Sequence, residues 1–153
     1  EKNNTNIEYT TNNKTLVVYY SAQNHTKAVA EKIANNLNAD IFEIVPEEIY
    51  TTEDLNWTND NSRVSKEHND ESLRAVKLVK EKVENWEEYD TILIGYPIWW
   101  GIAAWPVNTF IKSNDFTGKI LEQEANEGNW LEGKRFNSNA SDSDIKNWTD
   151  SLK

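Results

Sequence analysis

Three short runs of aliphatic, β-branched and aromatic residues, each delivered into a turn, constrain this chain more than any other feature. They are Thr15 to Tyr20 (TLVVYY), Asp40 to Val45 (DIFEIV), which Pro46 closes, and Thr91 to Tyr96 (TILIGY). Runs so short read as strands, the first and third buried on both faces. Between the first two lies TKAVAEKIANNLNAD, whose Val29, Ala30, Ile33, Ala34 and Leu37 make one helical stripe. A second helix is expected from about Asp70 to Trp86, with Val76, Val79, Val83 and Trp86 on one face. Pro106 suits the first turn of a third, where Val107, Phe110 and Ile111 form the inner face. Ser141 with Asp144 three residues on opens a last helix, which buries Ile145, Trp148 and Leu152. Strands alternating with amphipathic helices predict a parallel sheet covered on both sides, with right-handed crossovers. Such sheets bind ligands at the carboxyl ends of their strands, so the turns after the first and third runs are the informative ones.

Composition narrows the chemistry. The 153 residues carry 16 Lys plus Arg against 26 Asp plus Glu, a net charge of −10, which disfavours nucleic acid or an anionic membrane as partner. With no Cys there is no thiol nucleophile, disulfide framework, cysteine-ligated zinc or iron–sulfur cluster. No apolar run approaches the ~20 residues of a membrane span. Glu1 to Asn13 (EKNNTNIEYTTNN) has too little apolar content to pack and reads as a disordered polar tail ahead of one domain over residues 14–153. It has no apolar segment of the signal-peptide kind, and either the stalk of an exported, lipid-anchored protein or an untidy terminus of a cytoplasmic one suits it.

The first informative turn is Tyr20-Ser21-Ala22-Gln23-Asn24-His25-Thr26, running straight into a helix. Small and polar residues let backbone N–H groups turn inward, the hydroxyls of Ser21 and Thr26 add donors, and the helix dipole favours an anion such as phosphate. An ordinary strand-to-helix turn with Ser and Thr as caps reads equally well from these residues. His25 has no neighbouring carboxylate or Cys to make it a general base, and serves as a backbone donor. The second turn is Pro97-Ile98-Trp99-Trp100-Gly101. Two adjacent indoles cannot both point into one core from a tight loop, so at least one is exposed unless a flat ligand or another chain covers it. Together the turns ask for a ligand with a phosphate at one end and a planar ring at the other. No catalytic side chain and no metal ligand set is read from the chain.

The segments KTLVVYYSAQNHTKAVAEKIA, DLNWTNDNSR, YDTILIGYPIWWGIAAWPVNTFI and WLEGKRF resemble the bacterial flavodoxin-like proteins, short FMN-binding domains. The resemblance runs from Lys14 to Lys153. It implies an α/β, three-layer flavodoxin-like fold, a five-stranded parallel sheet in the order 2-1-3-4-5, and noncovalent FMN. It also implies that Ser21, Gln23, Asn24, His25 and Thr26 hold the phosphate while Pro97, Ile98, Trp99, Trp100 and Gly101 flank the isoalloxazine. DLNWTNDNSR is expected to fold over the flavin edge, with Asn61 and Arg63 as candidate contacts, unless Arg63 is merely paired to a surface carboxylate.

The chain departs from that pattern in two places. Flavodoxins usually have Gly and Asn where Asn24 and His25 stand. More seriously, Gly118-Lys119 should open a fourth strand ending in a Ser/Gly-rich loop, yet Ile120 is followed by LEQEANEGNW, which reads as the end of a helix stopped by Gly128. About one strand and one loop are missing by this count, and the expectation is that the molecule carries a segment after about residue 120 beyond these 153 residues. Function is expected to be electron transfer through FMN, as a carrier serving a redox partner protein or as a small reductase of a small-molecule acceptor. The alternative is a flavin-free binding or structural module that keeps the fold. A phosphorylated receiver domain would need an acidic cluster where Ser21 stands and an Asp where Trp99 stands, and a phosphatase on the first turn would need Cys.

Overall fold

The computed structural model describes residues 14–122, 129–131, 133–137 and 139–152, so the tail expected over Glu1 to Asn13 lies outside the described residues. The first and third runs form β1 (Lys14–Tyr19) and β3 (Tyr89–Gly95), and the front of the second forms β2 (Asp40–Glu43). β1 pairs in parallel with β2 from Leu16–Asp40 to Tyr19–Glu43 and with β3 from Thr15–Thr91 to Tyr19–Gly95. Two shorter strands, β6 (Ile120–Glu122) and β7 (Asn129–Leu131), extend the sheet beyond β3, each paired in parallel over three positions. The neighbours run β2-β1-β3-β6-β7. A small antiparallel hairpin, β4 (Ile98–Trp99) with β5 (Ile102–Ala103), stands apart from this sheet.

Successive side chains of β1 point to opposite faces. Leu16, Val18 and Tyr20 enter one core with Ile92, Ile94, Trp105, Val107 and Phe110; Val17 and Tyr19 enter another with Ala30, Ile33, Leu93 and Ile145. Helices α1 (His25–Leu37) and α4 (Asp142–Ser151) cover the second face, and α3 (Pro106–Ser113) covers the first. Pro106 begins α3, and Ser141 Oγ caps α4 by accepting from the Asp144 N–H at 3.1 Å. The two cores give the three layers that the strand and helix pattern implies.

Two expected helices fail. The residues from Asp70 to Trp86 contain only the 3-10 turns Glu71–Arg74 and Trp86–Glu88, and the α-helix of this region, α2 (Arg63–Asn69), lies inside the stretch expected to be irregular. Around Val76 the chain is extended: Val76 and Leu78 are buried while Val79 is 67% exposed, a period of two rather than 3.6. The extended form is held to the end of the second run, where Glu47 N–H donates to Lys77 O at 2.9 Å and Val79 N–H to Val45 O at 2.8 Å. The helix end read over LEQEANEGNW meets strand at Leu121–Glu122 and Asn129–Trp130, and the rest of it, residues 123–128, lies outside the described residues. Before β6, the buried Lys119 ammonium donates to the carbonyls of Trp86 and Tyr89, tying the start of β6 to the start of β3. Its burial pulls the pKa below the ordinary lysine value.

Candidate functional site

At the carboxyl ends of β1 and β3 the two informative turns share one cavity of about 460 Å³. This is within the usual range for small-molecule sites, roughly 300–1,000 Å³. Ser21, Gln23, His25 and Thr26 line one side; Pro97, Ile98, Trp99 and Trp100 line another. Asn24 and Gly101, the remaining two expected site residues, do not line it. Asn24 is the N-cap of α1 in the left-handed region (φ 66°), and its side chain makes no capping hydrogen bond. Gly101 (φ 80°) follows Trp100 (φ 47°) at the tip of the β4–β5 hairpin, where two successive positive φ angles reverse the chain.

At the α1 end, Ser21 is a hydrogen-bond acceptor, its Oγ taking the Lys27 N–H at 3.1 Å. The first backbone bond into α1 runs from Ala28 N–H to Asn24 O at 3.2 Å. The N–H groups of His25 and Thr26 therefore belong to the first turn of a 13-residue helix, where no intrahelical acceptor exists. An anion at that terminus meets unpaired donors and the positive end of the helix dipole.

At the other end the two indoles take different positions. Trp99 is half-buried and edge-on to three rings: Trp105 (4.8 Å between centroids), Tyr50 (5.3 Å) and Tyr20 (5.8 Å). Trp100 is 41% exposed and stacked on His68 at 4.1 Å with planes 10° apart, its ring also nearly parallel to Trp105 at 6.1 Å. Beneath them lies a carboxylate, Glu67, only 6% exposed, that accepts from Tyr50 Oη (2.5 Å), Trp105 Nε1 (3.0 Å) and Arg63 Nε (3.3 Å).

The two expected edge contacts, Asn61 and Arg63, are not among the residues that line the cavity. Asn61 is exposed, and the side chain of Arg63 is engaged by Tyr50, Glu48 and Glu67. The Arg63 guanidinium lies over the Tyr50 ring at 3.7 Å and donates to Glu48 O at 2.7 Å, so its carboxylate partner is the buried Glu67 rather than a surface one. Leu55, Trp57 and Val64 supply that side of the cavity instead, together with Ala22 from the first turn. The signal for Trp57 was its position, a lone aromatic in the polar run DLNWTNDNSR, where it stays 68% exposed.

Burial raises the pKa of the two tyrosines packed on Trp99, Tyr20 and Tyr50, the second reinforced by its bond to Glu67. Burial also pushes Tyr19 and Tyr89 up to about 12, helped by the charges of Glu43 and Asp40 respectively. A raised tyrosine pKa means that the folded state holds its proton longer than the unfolded state. The stabilisation is complete below the ordinary value of about 10 and is lost as pH rises through about 12. Urea midpoints should therefore be flat from pH 8 to 9.5 and fall steeply above pH 10, with tyrosinate absorbance appearing together with unfolding.

No helix among the described residues is long and apolar enough to cross a membrane, and no group of three or more His, Asp or Glu among them could hold a metal ion. The family model described as Flavodoxin matches residues 14–128. A structure of a protein from Bacteroides uniformis ATCC 8492, provisionally assigned as a flavoprotein, is similar over 90% of this chain and 97% of its own, with 35% identity and a TM-score of 0.80. A second such protein, from Bacteroides eggerthii DSM 20697, has 34% identity, coverage of 91% and 97%, and a TM-score of 0.77. A flavoprotein of Lactobacillus acidophilus NCFM in complex with FMN is similar over 71% of each chain, with 27% identity and a TM-score of 0.55. Comparison with curated proteins finds no significant match. By the match over residues 14–128 and the likeness to the two Bacteroides structures, the chain belongs to the flavodoxin family.

Proposed function

We propose that the cavity holds FMN noncovalently, its phosphate at the N-terminus of α1 and its ring against the hairpin indoles, and that the protein transfers electrons through it. The observation that carries this reading is the shared cavity itself, which joins a helix N-terminus whose His25 and Thr26 N–H groups have no intrahelical acceptor to an aromatic wall. Ser21, Gln23, Asn24, His25 and Thr26 would hold the phosphate through backbone N–H groups and hydroxyls. Pro97, Ile98, Trp99, Trp100 and Gly101 would shape the ring end. Bound flavin supplies the chemistry, accepting and releasing one or two electrons. The protein's part is to bind and orient it, to exclude water with Trp99, and to set the surrounding charge. From Glu47 to Ser62 the chain carries Glu47, Glu48, Glu53, Asp54 and Asp60 and no Lys or Arg. Negative charge beside the ring disfavours the anionic reduced state, lowers the potential, and attracts a basic redox partner.

The full sheet of the molecule is taken to follow the order 2-1-3-4-5, with β6 and β7 at its fourth and fifth positions. Only six residues stand between Glu122 and Asn129, whereas a crossover between parallel neighbours needs about a dozen or more. A further segment after about residue 120 would supply that length, and a measured intact mass close to 17.7 kDa rejects it.

An absorption spectrum tests the flavin. Flavin bands that survive dialysis are expected; a colourless protein that leaves the fluorescence of added FMN unquenched would instead support a flavin-free module. Turnover of NAD(P)H with a quinone then separates a reductase from a pure carrier, which should show almost none.

A further inference from the structure

We propose that Glu67 is the positioning residue of the ring end of the cavity, one buried carboxylate that sets where Trp99 and Trp100 stand and thereby tunes affinity for a flat ring but not for phosphate. The inference rests on the flavin reading for the identity of the ring. It stands on three sets of contacts. Oε1 accepts from both Tyr50 Oη and Trp105 Nε1, and those two rings are the closest to Trp99, at 5.3 and 4.8 Å. The next residue, His68, is the plate on which Trp100 stacks. Arg74 then fixes both backbone positions, donating to Glu67 O at 2.8 Å and His68 O at 2.6 Å while its guanidinium lies 5.0 Å from the Trp105 ring.

Stability alone does not explain a charge here. A buried ion pair such as Glu67 with Arg63 often does no better than apolar residues of equal volume. An apolar side chain, however, cannot dictate the rotation of a phenol and an indole. A carboxylate oxygen shared by two donors can, because each ring must keep its N–H or O–H on that one atom. Take the acceptor away and both donors are left buried without a partner, so the rings turn toward other acceptors and Trp99 loses its seat. The cavity's phosphate end, on α1, has no part in this network.

The test compares Glu67→Leu and Glu67→Gln with wild type, using FMN and, as the ring-free probe, ribose 5-phosphate. Glu67→Leu should weaken FMN about tenfold or more and leave ribose 5-phosphate within twofold. Glu67→Gln, whose amide oxygen still accepts from Tyr50 and Trp105, should recover most of the FMN affinity. The near-UV circular dichroism of the flavin-free protein should change with Glu67→Leu and be largely restored in Glu67→Gln. If Glu67→Leu does not fold, Tyr50→Phe and Trp105→Phe each remove one donor and should lower FMN affinity in the same direction. Unchanged FMN affinity in Glu67→Leu overturns the proposal, and so does an equal loss for both ligands, which would mark a general structural role. A wild type that binds ribose 5-phosphate but not FMN sinks the flavin reading instead. The proposal is then decided on near-UV circular dichroism, where an unaltered tryptophan signal in Glu67→Leu overturns it.

Discussion

Replacing Phe110 with Ala should destabilise the fold by about 3–5 kcal/mol, the usual range for deleting a fully buried aromatic ring. Phe110 is 0% exposed and stands where α3 meets the sheet, its ring 5.5 Å from Phe42, 6.1 Å from Trp86 and 6.3 Å from Phe116. Those neighbours come from β2, the turn before β3 and the segment before β6, so no single movement of one element can close the hole. Part of the cost is lost transfer energy and part is the cavity that remains. A domain of this size has a net stability of about 5–15 kcal/mol, so the variant should sit close to its unfolding midpoint in mild denaturant. Urea unfolding should show a much lower midpoint with an unchanged slope, because the same surface is exposed on unfolding. An unfolding free energy within about 0.5 kcal/mol of wild type would mean that α3 does not pack on this face.

The surroundings of Phe110 also show what sequence can and cannot give. Pro106, Val107 and Phe110 declare α3 through local rules: a proline where its missing N–H costs nothing, and apolar residues at helical spacing. β1 and β3 are as plain, since a run with no polar face has nowhere to go but a covered sheet. The segment over residues 75–85 fails for an equally physical reason. Val76, Val79 and Val83 fit a helical stripe, but Val76 and Leu78 fit an extended one, and the local sequence does not choose. The choice comes from the backbone of Val45 and Glu47, more than twenty-five residues earlier, which offers hydrogen bonds to Lys77 and Val79 only if the chain is straight. Tertiary pairing overrides propensity at such places.

The site divides along the same line. Its two turns follow from strand ends, so Ser21, Gln23, His25, Thr26, Pro97, Ile98, Trp99 and Trp100 could be named and the structure brings them together around one cavity. Leu55, Trp57 and Val64 reach the same cavity from an irregular stretch, where no periodicity assigns a face. Glu67 was invisible for a different reason. A glutamate in the polar sequence RVSKEHN reads as a solvated face, and only the arrival of Tyr50 and Trp105 from distant segments makes it a buried acceptor.

On the proposed FMN reading, replacing Trp99 with Ala should weaken binding about 30- to 350-fold, or about 2–3.5 kcal/mol. Offset or edge contact between aromatic rings contributes about 0.5–1.5 kcal/mol beyond area, and burying one indole face of some 60–80 Å² adds about 1.5–2 kcal/mol at 25 cal/mol per Å². Trp99 can deliver this because Tyr20, Tyr50 and Trp105 hold it from three sides, so little side-chain freedom is left to lose when a ligand arrives. Trp100 is a weaker candidate, since its ring is already stacked on His68 and lies nearly parallel to Trp105 at 6.1 Å. The expected order of loss in FMN affinity is therefore Trp99→Ala, then Trp100→Ala, then Trp99→Phe. Titration with FMN measures all three, with ribose 5-phosphate as the probe of the α1 end. Equal affinity in Trp99→Ala and wild type would remove the indole from the ring site, and a larger loss in Trp100→Ala would transfer the stacking role to Trp100.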